Sequence, residues 1–138
     1  MTVEEMTRRL EEAIAAWNRG DLDAYLTLYD DGVRLHGYSP SPLDKSAVRG
    51  FYAGIFAGLP GSRIELVDVF GDGDRIVARF VQRGRHDGSL MGVPPTGRDV
   101  ELNGITVLAF RDGRVVERWS VADMLGLLVQ IGAVPAPA

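Results

Sequence analysis

The chain has no cysteine among its 138 residues, which excludes disulfide frameworks, thiolate metal sites and thiol nucleophiles. Histidine is nearly as scarce. His36 and His86 are the only two; they lack metal-ligand spacing and no carboxylate cluster accompanies them, so no metal site is expected. Long apolar runs are missing, and Met1-Thr2-Val3-Glu4-Glu5 offers neither a basic region nor an apolar core. No secretory signal or membrane span is expected, and the cytoplasm is the default compartment. Positive charge is thin: the formal net charge is -4, and lysines and arginines stand singly or in pairs. Neither nucleic acid nor an anionic membrane is therefore expected as a partner. No glycine-rich loop with a lysine is present to cradle phosphate.

What is present suits a packed globule: 46% hydrophobic residues in a length best read as one domain over 1–138, with a flexible Pro/Ala tail at 134–138. Thr2 with Glu5 matches a capping box, and Val3, Met6, Leu10, Ile14 and Trp17 form one helical stripe behind it. Asp21 can cap a short second helix carrying Leu22, Tyr25, Leu28 and Tyr29. Asp30-Asp31-Gly32 reads as a turn into a strand over 33–37, and a third helix is expected over 45–56. Four β-rich segments follow, at 63–70, 75–85, 99–110 and 114–122. Gly71-Asp72-Gly73-Asp74 joins the first pair, Asp112-Gly113 the last, and a loop over 87–98 the middle two. A short helix over 124–131 closes the chain. Helices first and a meander afterwards predict an α+β fold with helices on one face of a strongly curved sheet. Apolar residues on both strand faces (Leu102 and Leu108 against Ile105 and Val107) suggest that a second subunit covers part of the outer face.

The last strand carries the sharpest functional signal. Strict alternation puts Val115, Glu117, Trp119, Val121 and Asp123 on one face, so a lone carboxylate stands beside a large aromatic at an apolar wall. Desolvation there raises a carboxyl pKa toward the range where it both gives and takes protons. The competing reading is a helix N-cap, since Asp123 directly precedes Met124. His36 shares a face with Arg34 and Tyr38 and titrates near neutrality when unperturbed, so it is the second candidate for proton transfer. Asn103, mid-strand where Asn is unfavoured, is a candidate donor to a ligand carbonyl. The expected binding wall draws first on Trp17 and Trp119, then on Tyr29, Tyr38, Phe56 and Met91. Ser120 lacks a nearby base, which argues against a serine hydrolase.

Trp17-Asn18-Arg19-Gly20-Asp21-Leu22-Asp23-Ala24 and Tyr29-Asp30-Asp31-Gly32-Val33 resemble the opening of nuclear transport factor 2-like domains. Gly92-Val93-Pro94-Pro95-Thr96-Gly97-Arg98, Gly104-Ile105, and Phe110 through Trp119, with Asp123, Leu127-Leu128 and Gln130-Ile131-Gly132, resemble the SnoaL-like branch, named for polyketide cyclases. The resemblance implies a cone-shaped α+β barrel, its curved mixed sheet wrapped around the N-terminal helices with an internal pocket. It also implies a homodimer and no cofactor. In the cyclases an aspartate at the end of this strand is the general acid/base of an intramolecular aldol closure, and Asp123 falls at that position. The cyclases add polar side chains, including a histidine, on the neighbouring strand; here those inward positions fall near Val107 and Ala109. The carboxylate of related ketosteroid isomerases falls at or near His36.

The expectation is a cofactor-free acid/base enzyme that cyclises or isomerises a hydrophobic, carbonyl-bearing, polyketide-like molecule. Asp123 takes a proton alpha to a carbonyl, and Asn103, His36 or Tyr38 steadies the enolate oxygen. Two alternatives stand beside it: a non-catalytic protein that binds an apolar small molecule, and water addition to an epoxide.

Overall fold

The computed structural model describes residues 1–137. Thr2 caps the first helix, α1 (Val3–Asn18), by accepting from the Glu5 amide at 3.1 Å. Its buried face is Met6, Leu10, Ala13, Ala16 and Trp17, the stripe that three- and four-residue spacing requires. Asp21 and Asp44 cap α2 (Leu22–Leu26) and α3 (Lys45–Gly58) in the same manner. None of the described helices is long and apolar enough to cross a membrane.

Five strands form one sheet: β1 (Tyr29–His36), β2 (Arg63–Asp72), β3 (Arg75–Arg85), β4 (Asp99–Arg111) and β5 (Arg114–Ala122), in the order β1-β5-β4-β3-β2. The β1–β5 pair is parallel and the other three are antiparallel. The fold is α+β with a mixed sheet, as the sequence suggests. The sheet does not close into a barrel, because β1 and β2 are left as edges. β1 also starts earlier than expected. Asp30-Asp31-Gly32 is an irregularity inside the strand rather than a turn before it, and the pairing with β5 shifts there. The β4–β5 hairpin turns through Asp112 and Gly113 at φ 52° and 82°, the left-handed pair that a two-residue turn matched to strand twist demands.

One face of the sheet receives α1 and α3. The main core joins Met6, Leu10 and Trp17 of α1 and Val48 of α3 to Ile76, Ala78, Leu108 and Val115 of the strands. A second cluster, of Leu59, Leu90, Val100, Leu102, Leu127 and Ile131, seats α4 (Met124–Gln130) and the 86–98 loop at one end. Gly88 lies flat on the end of α3, its amide donating to the Gly58 carbonyl at 3.2 Å. A Cβ there would collide with the Ala57 carbonyl oxygen, whereas one on Gly54, in α3, meets open space. Gly88→Ala is thus expected to cost at least about 2 kcal/mol. Gly54→Ala is expected to stabilise by about 0.5–1 kcal/mol through helix propensity. Urea unfolding of the two variants checks the pair, and a neutral Gly88→Ala would mean the loop does not pack on α3.

Candidate functional site

The helices do not fill the concave side of the sheet. Between them lies a cavity of about 360 Å³. Leu10, Ile14 and Trp17 of α1, Phe51 and Ile55 of α3, and Leu66, Phe80 and Leu102 of the sheet supply its apolar wall. Gly104 has no side chain for a reason: a Cβ there would run into the Phe80 ring. Most of the polar lining is gathered in one place, where Tyr25, Tyr38 and Tyr52 meet Thr106, Arg118 and Ser120.

Arg118 is the centre of that cluster and is only 7% exposed. Its Nε donates to Thr106 Oγ1 at 2.8 Å and Ser120 Oγ at 3.1 Å. Its Nη1 donates to the hydroxyls of Tyr25 at 3.1 Å, Tyr52 at 3.2 Å and, more closely, Tyr29. The Tyr38 ring lies 6.0 Å from its Cζ, within cation–π range. All four tyrosines of the chain thus converge on one guanidinium. Their hydroxyls also form a chain, Tyr25 to Tyr29 to Tyr52 to Tyr38 to Ser120, at 2.9–3.3 Å. Ser120 continues it to Thr106 at 2.8 Å, and Thr106 donates to the Trp119 carbonyl at 3.0 Å. Each hydroxyl can give its one proton to the next, so none is stranded.

Burial pushes the phenols of Tyr29 and Tyr52 well above their ordinary value of 10.0, and the Arg118 charge only partly offsets this. For Arg118, burial works against the charge, but the oxygens of Tyr29, Tyr38, Tyr52 and Tyr25 outweigh it and its pKa moves up. At neutral pH the cluster therefore holds one cation among uncharged hydroxyls.

A β-bulge decides which residues reach this cavity. Phe110 pairs with Val115, but Ala109 pairs with Glu117, leaving Val116 as the extra residue. Two residues on β5 then oppose one on β4, and the alternation reverses beyond them. Val115 points into the core; after the bulge Arg118, Ser120 and Ala122 turn toward the cavity, and Val121 also borders it. Uninterrupted alternation predicts Trp119 in the wall, and the bulge corrects this. Trp119 lies on the outer face, parallel to His36 at 5.4 Å with Arg75 over its ring at 5.1 Å.

His36 is likewise on the outer face, 2.7 Å from Glu117 and outside the cavity lining. Asn103 projects outward from β4 and is exposed. The inward neighbours are Thr106 and Leu108, not Val107 and Ala109, so a hydroxyl stands where the sequence suggested none. Met91 is 49% exposed in the 86–98 loop, away from the lining. Of the expected wall, Trp17 and Tyr38 line the cavity. Phe56 stacks behind on Trp17 at 4.1 Å, and Tyr29 sits fully buried behind the lining within the hydroxyl chain.

Asp123 is exposed and caps α4, its Oδ1 accepting from the Gly126 amide at 2.8 Å. It stands between Ala122 and Met124, both of which line the cavity. Asp123 itself is not among the lining residues, so its carboxylate is solvent-exposed rather than in the apolar interior. Reasoning from sequence missed Arg118, Tyr25, Tyr52 and Thr106. The available signal was chemical: an arginine in mid-strand and several tyrosines on buried helix faces all need partners. Among the described residues no three His, Asp or Glu side chains group to hold a metal ion.

Raised phenol pKa values mean stability that is complete below about pH 10 and declines as pH climbs through the folded-state values of Tyr29 and Tyr52. In an absorbance titration at 295 nm, these two of the four tyrosines are expected to ionise only as the protein unfolds. Four ordinary alkaline titrations in the folded state would contradict the buried cluster.

Residues 6–131 match the model of the SnoaL-like polyketide cyclases. The chain is 27% identical over 124 residues to nogalonic acid methyl ester cyclase of Streptomyces nogalater, spanning 86% of this chain and 91% of that protein. It is 35% identical over 71 residues to the aklanonic acid methyl ester cyclase AcmA of Streptomyces galilaeus, spanning 51% and 49%. Among solved structures it is similar to AclR, a hydroxylase candidate from Streptomyces galilaeus, at 30% identity and TM-score 0.90 over 99% of this chain and 87% of that one. It is also similar to IdmH, a polyketide cyclase candidate from Streptomyces antibioticus, at 30% identity and TM-score 0.79 over 92% and 98%. With residues 6–131 matched by the family model and the fold shared with AclR over nearly the whole chain, this protein belongs to the SnoaL-like polyketide cyclase family.

Proposed function

We propose that the protein closes a carbon ring in a polyketide-type substrate by an intramolecular aldol reaction that needs no cofactor. The observation that carries this reading is the cavity: an apolar chamber whose hydroxyls gather around one cation, with an exposed carboxylate, Asp123, directly between the lining residues Ala122 and Met124 in the chain. Asp123 takes a proton from a carbon alpha to a carbonyl. The carbanion forms the new carbon–carbon bond at a second carbonyl, and the resulting alkoxide takes the proton back, which regenerates Asp123. The reaction is redox-neutral. Asp123 is suited to it because only Oδ1 is committed to the helix cap, leaving Oδ2 without a hydrogen-bond partner among the described residues. The apolar wall folds the substrate and excludes water, so the enolate is not quenched before it attacks.

A second reading, oxygen insertion, is favoured by one observation, the similarity to AclR over nearly the whole chain. Insertion consumes an oxidant and ring closure does not. Incubation with the methyl ester of a polyketide acid under nitrogen separates them: conversion to an isomer of equal mass supports ring closure, and conversion that starts only on admitting air removes it.

Asp123→Asn keeps the capping oxygen and removes the base. It is expected to lower turnover by about 10²-fold or more while unfolding stability moves by less than about 0.5 kcal/mol. Unchanged turnover would leave Asp123 as a cap, and a wild-type protein that binds substrate without converting it would be a binding module.

We also read the outer sheet face as the seat of a second copy. His36, Trp119, Val107, Val77 and Phe70 form one cross-strand row from edge to edge. Ile105 and Val121, paired beside it, are 52% and 78% exposed. Apolar surface of this extent on a single face favours burial against another chain. Light scattering is expected to give a dimer for the wild type and a monomer for Ile105→Glu; a monomeric wild type would end this reading.

A further inference from the structure

We infer that Arg118 is an oxyanion receptor: the cavity takes a flat apolar molecule carrying an ionised oxygen, and Nη2 of Arg118 binds that oxygen. This rests on the cavity being the substrate site, and it names the kind of substrate.

A guanidinium cannot discharge itself by losing a proton, and burying one without a counter-charge is expensive. Among the described residues, every group that Arg118 reaches is a neutral hydroxyl or a ring face. The phenols cannot take up the role of counter-ion near neutrality, since burial holds Tyr29 and Tyr52 in their protonated forms. A purely structural Arg118, tying the tyrosines of α2, β1 and α3 to β4 and β5, explains the bonds made by Nε and Nη1. It does not explain Nη2. That nitrogen makes no hydrogen bond among the described residues, yet it is not among the sealed, unpartnered polar atoms. The residue's small exposed fraction belongs to a side chain that lines the cavity. The unbonded donors of Nη2 thus belong to a side chain that lines a chamber whose other walls are largely apolar.

An anion entering this chamber gains a charge-assisted contact at Arg118 while its skeleton covers the apolar wall. An uncharged isostere gains only the second. Enolates, phenolates and carboxylates share the required chemistry. For a ring closure, the same contact would hold the ionised 1,3-dicarbonyl or phenol that fixes which end of the substrate lies deep in the cavity.

The test is isothermal titration of the wild-type protein at pH 7 with two matched pairs. One is 2-hydroxy-1,4-naphthoquinone, an ionised enol, against its uncharged 2-methoxy ether; the other is 2-naphthoate against its methyl ester. In at least one pair the anion is expected to bind about tenfold tighter or more. Preference within the first pair alone assigns the receptor to enolates and phenolates, and within the second alone to carboxylates. Arg118→Met is expected to bring the preference close to one. Equal or tighter binding of both uncharged partners by the wild type overturns the inference, whether or not the variant folds. A preference that survives in Arg118→Met overturns it as well. Selective anion binding by a protein that closes no ring leaves this inference standing and removes the preceding function; ring closure with no anion preference does the reverse.

Discussion

The structure is organised around a positive charge in its interior that no negative charge among the described residues meets. Arg118 is held by dipoles instead, through the hydroxyls of Tyr25, Tyr29, Tyr52, Thr106 and Ser120. These residues come from α2, β1, α3, β4 and β5, so one side chain draws five elements to a common point. Removing one hydroxyl would leave the charge less well solvated and its neighbours unpaired, which makes the network cooperative. It also explains why a small cavity survives beside so much aromatic area. A cation with free donors cannot be covered by an apolar side chain without a large desolvation cost.

The bulge at Val116 is the device that puts Arg118 there. Without it, β5 would turn Glu117 and Trp119 inward and Arg118 outward. One inserted residue thus exchanges an acidic, aromatic lining for a basic, hydroxylated one. The displaced residues form the outer surface, where Trp119 stacks on His36 and joins an apolar row across the sheet. Cavity chemistry and outer surface are two results of one local irregularity.

Membership in the family transfers the architecture more securely than the reaction, because one fold supports many chemistries. The Asp123 position joins strand end and helix start, so its carboxylate serves α4 whether or not it serves catalysis. The hydroxyl chain behind Arg118 belongs to this chain's own residues and is where its specificity would be sought.

The amino-acid sequence by itself determined the element order, because periodicity, caps and turn residues act locally. Thr2, Asp21 and Asp123 are caps, and Asp112-Gly113 is a tight turn, for reasons contained within a few residues. It also determined the family, through the run from Phe110 to Gly132. It misassigned the faces of β5, since alternation carries no sign of an inserted residue and the bulge is set by how β5 registers on β4. Trp119 was consequently expected inside and is found outside, and His36, a candidate from β1 and the family position, lies beside it on the same outer face. The convergence of the tyrosines on Arg118 was equally invisible, as the three that bond to it stand 66 to 93 positions away in the chain. Only tertiary packing, by closing α2 and α3 over the sheet, decided that they would meet and that one guanidinium face would be left open.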